Sequence, residues 1–220
     1  MLANNPFIVI TSSGHEKVVD RVKEKVELQM QINEALKNGK IVVLKGSPGV
    51  GKSTLVNLIV NNLKKSQNVS VIREDFTPSV YNKLRSLNLG VIKKTLVILD
   101  DFNNVELLDK NSQEKVIKLM SELAEKAALL LIENRTEGVE KDFRRMHIEA
   151  VKFDITGLQR TDLRQLLTDR LNMVRDVPRD NIDPFTDDEF EKIYRKSGGN
   201  PRIALLICAA LFDQKETSLI

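Results

Sequence analysis

The stretch Gly46-Ser47-Pro48-Gly49-Val50-Gly51-Lys52-Ser53 satisfies the pattern G-x-x-x-x-G-K-[ST] at every fixed position. Its surroundings agree: an apolar run at 41–44 precedes it and a helical pattern at 52–65 follows. Glycines at this spacing let successive backbone N–H groups turn inward around phosphate oxygens, and the start of the helix adds a favourable dipole. Lys52 is expected to reach the β- and γ-phosphates and Ser53 to ligate magnesium. Thr54 completes the expected nucleotide contacts.

Magnesium beside a phosphate chain needs a second anchor, an acid at the end of a neighbouring buried strand. Leu96-Val97-Ile98-Leu99-Asp100-Asp101 provides four apolar residues and then two carboxylates. Asp100 is the expected metal-side acid, and Asp101 is placed to orient or deprotonate an attacking water. A further apolar run at 69–72 lies between the two motifs. That spacing favours water over a small-molecule acceptor, and so an ATPase using ATP and Mg2+.

Outward from these motifs the chain alternates short apolar runs with helical stretches. The runs are 41–44, 69–72, 96–99, 129–132 and 150–153; the helices are 52–65, 79–87, 112–126 and 139–146. Continuous apolar strands separated by helices predict an α/β fold with a parallel sheet covered on both faces. Upstream, 16–37 reads as an amphipathic helix whose stripe Val19, Val22, Val26, Met30 and Leu36 packs on its own domain, ended by Asn38-Gly39. Beyond Thr156 the pattern is helical only. Thr161 opens one helix, Thr186 with Glu189 signals a capping box for the next, and Asn200-Pro201 begins the last. The expected organisation is a P-loop ATPase domain over 1–156 and a small helical lid over 157–220.

Composition narrows the classes. Hydrophobic residues at 41% and charged residues at 30% describe a folded globular chain, and a net charge of +3 does not by itself identify a nucleic-acid partner. One cysteine, Cys208, excludes an internal disulfide framework and a cysteine-based zinc cluster; His15 and His147 are too far apart in sequence to suggest an imidazole metal site. The apolar runs are too short to span or insert into a membrane, so a cytoplasmic location is expected. Lys192, Arg195, Lys196 and Arg202 gather in the lid, but 141–180 mixes both signs and aromatics are only 5% of the chain, so no stacking platform for single strands is evident.

With these residues in place, the chain resembles AAA+ ATPases of the initiator-related group, which includes origin-recognition, ExeA-type secretion and transposition ATPases. The resemblance covers about 33–212 and implies a five-stranded parallel sheet in the order 5-1-4-3-2. Leu129-Leu130-Leu131-Ile132-Glu133-Asn134 is similar to the sensor 1 strand, which implies that Asn134 contacts the γ-phosphate or the attacking water. Ser197-Gly198-Gly199-Asn200-Pro201-Arg202 is similar to sensor 2, which implies that Arg202 folds onto the nucleotide and reaches phosphate in bidentate fashion. The resemblance further implies an arginine finger at Arg144 or Arg145, acting on a neighbouring subunit.

Two departures bear on function. Asp100-Asp101 stands where most of the class has Asp-Glu; the shorter acid predicts slow, switch-like hydrolysis. Eight residues follow Phe212, so the winged-helix domain of origin-recognition ATPases is not expected here, and origin recognition is not the expected role. The expected function is ATP-dependent self-association with remodelling or loading of a protein partner, with DNA kept as a candidate platform. A second reading stays open, in which Gly199-Asn200-Pro201 marks a nucleotide-gated switch of the signalling-ATPase type without DNA contact.

Overall fold

The computed structural model describes residues 5–8, 21–86, 94–134 and 140–217. His15, Val19, Leu87 and Val139, and the expected helix start at 16, lie outside the described residues. Two compact units emerge: one comprises 22–48 and 52–155, the other 1–21, 49–51 and 156–220.

The first unit is built on five strands: β1 (Ile41–Lys45), β2 (Ser70–Asp75), β3 (Thr95–Asp100), β4 (Ala128–Glu133) and β5 (Ala150–Asp154). Every pairing is parallel and the order is β2-β3-β4-β1-β5, the expected 5-1-4-3-2 read from the other edge. Parallel neighbours need crossovers, and α1 (Val22–Asn38), α2 (Lys52–Gln67), α3 (Val80–Arg85), α4 (Lys110–Ala124) and α5 (Glu140–Arg145) flank or connect the strands. The inner strands β1, β3 and β4 are buried on both faces, which explains their unbroken apolar runs; edge strands β2 and β5 are half-exposed and mix in charged residues. Val43, Val97, Leu99, Leu129 and Leu131 form one face of the core with Ile117 and Met120 from α4.

The expectation for α1 is corrected. Leu28, Ile32 and Ala35 are its buried residues, whereas Val22, Val26 and Met30 are 50–64% exposed. The helix carries apolar residues on two sides. At about 100° per residue the two sets lie roughly opposite one another, and the set of Leu28, Ile32 and Ala35 is the buried one. Gly39 ends the helix as expected, at φ +66°.

The second unit packs α6 (Arg160–Asn172), α7 (Asp187–Ser197) and α8 (Pro201–Thr217) around Leu163, Leu167, Phe190, Ile193, Ala204 and Cys208. The capping box is present: Thr186 Oγ1 accepts from Glu189 N, and Glu189 Oε2 accepts from Thr186 N. Asn200 caps α8 by accepting from Arg202 N and Ile203 N at 3.1 and 3.4 Å. Phe7 belongs to this core, its ring 5.5 Å from Phe185 and 5.8 Å from Phe212, with Asn5 Nδ2 donating to Ala209 O at 3.0 Å. No described helix is long and apolar enough to cross a membrane.

Candidate nucleotide site

A parallel sheet aligns the C-terminal ends of its strands, and the loops leaving those ends share one rim. β1 runs directly into Gly46, β3 ends in Asp100 and leads to Asp101, and β4 ends in Glu133 and leads to Asn134. The phosphate-loop signature, the acid pair and the sensor 1 candidate therefore leave one rim of one sheet.

The loop has the backbone its glycines permit. Gly49 and Gly51 adopt φ +81° and +106°, the left-handed region that L side chains avoid. Lys52 begins α2 and is 5% exposed; its Nζ donates to Gly46 O at 2.7 Å and to Ser47 O at 3.0 Å, tying the ammonium to the loop's own carbonyls. Ser53 and Thr54 follow in the first turn, Ser53 exposed and Thr54 half-buried. Pro48 and Val50 complete the loop, Val50 being buried.

Within the unit that contains 49–51 and 156–220, a Cβ on Gly49 would meet Arg202 Cβ at 2.6 Å and Asn200 Oδ1 at 3.1 Å. The backbone of Gly49 thus approaches the sensor 2 candidate closely, and only glycine fits. Gly157 has the same role against the turn before α8: its Cβ would lie 2.3 Å from Gly198 O, while Leu158 N donates to Gly199 O at 2.7 Å. Arg21 is 7% exposed, and its Nη2 donates to Val50 O at 3.1 Å and Thr156 O at 2.8 Å. A charged residue in a stretch read as one amphipathic helix gave no signal of that burial.

Asp101 and Asn134 come together. Asp101 sits at φ +51°, and its Oδ1 accepts a short hydrogen bond from Asn134 Nδ2. Asn134 N donates to Asn103 Oδ1 at 3.1 Å. Asn103 lies in a 3-10 turn, Phe102–Leu107, that apolar periodicity could not reveal because its register holds for only two turns. The amide fixes the Asp101 carboxylate beside Asn134 on this rim.

The donors available to a metal are oxygen: the Ser53 hydroxyl and the Asp100 carboxylate. That set suits magnesium, which takes few protein ligands and completes its shell from phosphate and water. Among the described residues no group of three or more His, Cys, Asp or Glu could hold a metal without such help. Asp100 is not idle: its Oδ2 accepts from Arg73 Nε at 2.6 Å.

Arg144 and Arg145 lie in the last turn of α5, just before the turn toward the start of β5, whose first residue Ala150 pairs with Ile41. That is the N-terminal rim, the end of the strands away from this chain's own phosphate loop. Arg145 pairs with Glu114 and Asp142, both at 3.4 Å. Arg144 has no ion pair among the described residues and lines a cavity of about 670 Å3 with Lys40, His147 and Lys152. Cys208 is buried, and burial pushes its thiol up to about 12, so it has no thiolate chemistry to offer.

Comparison with known proteins bears on the family and the fold. Residues 26–173 match the family described as Novel STAND NTPase 3, nSTAND3. The DNA repair protein RadA of Helicobacter pylori is 31% identical over 98 residues, 44% of this chain but only 21% of RadA, so the chain spans about a fifth of that relative's length. In three dimensions the chain is similar to a Drosophila ORC structure bound to DNA, with TM-score 0.68 and 13% identity over 98% of this chain and 60% of that one. It is also similar to a Walker-type ATPase of Pyrococcus abyssi, with TM-score 0.63 and 15% identity over 93% of this chain and 70% of that one. The fold is that of a P-loop NTPase, shared with these two structures.

Proposed function

The chain belongs to the nSTAND3 family of NTPases, and from that premise we propose that it binds ATP with magnesium, hydrolyses it slowly, and uses the nucleotide state to drive self-association and the remodelling or loading of a protein partner. The observation that carries this reading is the pairing of Asp101 with Asn134 on the rim that also bears the phosphate loop.

In this mechanism the amides of 46–53 hold the phosphates, and Lys52 turns its ammonium from the loop carbonyls toward the β- and γ-phosphates. Ser53 and Asp100 would hold the magnesium, which when bound would offset phosphate charge. Asp101 takes a hydrogen bond from the attacking water while Asn134 fixes the carboxylate. The bond from Asn134 restrains Asp101 in its left-handed conformation, and the short aspartate reaches less far than a glutamate; both favour slow turnover. Arg202 is the residue proposed to sense phosphate from the 157–220 lid. Arg144, rather than the ion-paired Arg145, is proposed as the finger offered to a neighbouring copy, because a residue on the N-terminal rim can serve only another subunit's phosphates.

Solution mass tests the assembly: chains with ATP should be larger than chains with ADP, and equal masses would refute it. The same measurement with duplex DNA decides a second reading, in which the partner is met on DNA. That reading is favoured by the RadA relative and the DNA-bound ORC structure. Asp101→Asn should keep ATP affinity within about threefold while slowing phosphate release at least about tenfold, since it removes the charge that accepts from water but spares Asp100. Undiminished release would remove Asp101 from the chemistry.

A further inference from the structure

Arg73 lies two residues before Asp75 on β2, and Asp75 is the register partner of Asp100 on β3. Alternation along a strand puts residues 73 and 75 on one face, and parallel register puts Asp100 on that face too. From there Arg73 Nε donates to Asp100 Oδ2 at 2.6 Å, and Arg73 Nη1 makes a short bond to Asn57 Oδ1. Asn57 is four residues after Ser53 on α2, so it stands one turn along the same helix face as the hydroxyl assigned to the metal. The guanidinium therefore spans from the Ser53 face of α2 to the carboxylate at the end of β3. Asp100 is 14% exposed and Arg73 31%, so the pair is half-buried and only partly screened by water.

We infer that Arg73 sets the magnesium requirement of this site by contending with the divalent cation for Asp100. The inference rests on the proposed reading of Asp100 as the metal-side acid. A guanidinium on Oδ2 takes one carboxylate oxygen and places a positive charge beside the position where a dication must enter. Magnesium entry then requires Arg73 to yield that oxygen or tolerate the dication nearby, and either raises the magnesium concentration at which nucleotide is held. Asn57 keeps the guanidinium aligned when it yields, since Nη1 is anchored on α2 while Nε faces the acid.

The test measures binding of a fluorescent ATP analogue against magnesium concentration, and the spectrum of bound Mn2+ with ADP, for wild type and Arg73 variants. Arg73→Gln should lower the magnesium midpoint by about tenfold, because a full charge is removed from beside a dication in a medium less screening than water. With EDTA present the variant should bind nucleotide as wild type does. Arg73→Lys keeps the charge and should stay within about twofold of the wild-type midpoint. Arg73→Met serves if Arg73→Gln fails to fold, as judged by thermal melting. A midpoint unmoved or raised in the neutral variants overturns the assignment of Arg73 while leaving the ATP reading intact. A wild-type chain that binds no nucleotide overturns both.

Discussion

Replacing Lys52 with alanine is expected to lower ATP affinity by about a hundredfold or more. The ammonium of Lys52 supplies charge-assisted hydrogen bonds, each worth roughly 1.5–3 kcal/mol, and 1.4 kcal/mol is a factor of ten in affinity. Losing two such bonds to phosphate accounts for at least two decades. The structure adds a second consequence. Because Nζ donates to Gly46 O and Ser47 O, the side chain also braces the loop it serves. Alanine should therefore loosen the loop at a cost of about 1–3 kcal/mol in stability, without unfolding a domain whose sheet core lies elsewhere. Titration with a fluorescent ATP analogue reads the first effect and thermal melting the second. Affinity within about threefold of wild type would mean that the loop holds phosphate by its backbone alone.

The parts of this site that were legible in the sequence are those written contiguously. The phosphate loop is eight adjacent residues with fixed chemistry, and Asp100-Asp101 stand directly after an apolar run, so each could be placed without knowing the fold. The sheet order followed from resemblance, and the structure agrees with it strand by strand. Asn134 needed the fold before it could be joined to Asp101, because thirty-three positions separate them in the chain. Arg73 was illegible for a different reason. On a half-exposed edge strand a charged residue reads as solvated surface, and only the register with β3 turns it toward Asp100. Phe7 was missed since nothing local announces a ring whose partners, Phe185 and Phe212, lie far along the chain. In α1 the apolar pattern was real but double, and periodicity alone cannot say which of two stripes meets the sheet.

Lys45 and Glu133 stand just past the apolar runs 41–44 and 129–132, and they carry the largest expected effect on stability. They are register partners on β1 and β4, exposed to 1% and 0%, with Lys45 Nζ 3.7 Å from Glu133 Oε2. Each immediately precedes a residue of the candidate site, Gly46 and Asn134. Two opposite charges withdrawn from water are tolerated together, and removing either one takes a counter-charge away from a buried group of opposite sign. Glu133→Leu and Lys45→Met should therefore each cost about 3–5 kcal/mol, read as a fall in the urea midpoint with an unchanged slope. Carrying both substitutions should cost far less than the sum and can return stability close to wild type, since two apolar side chains of similar volume have no charge to desolvate. That non-additivity separates an ion pair from two independent packing sites. Single costs below about 1 kcal/mol, or a double variant whose loss equals the sum of the two, would show that the charges are held by water or by other groups. A restored double variant that melts like wild type yet binds ATP more weakly would further assign the pair to the phosphate loop, because Lys45 is joined directly to its first glycine. Equal ATP affinity would confine it to the sheet.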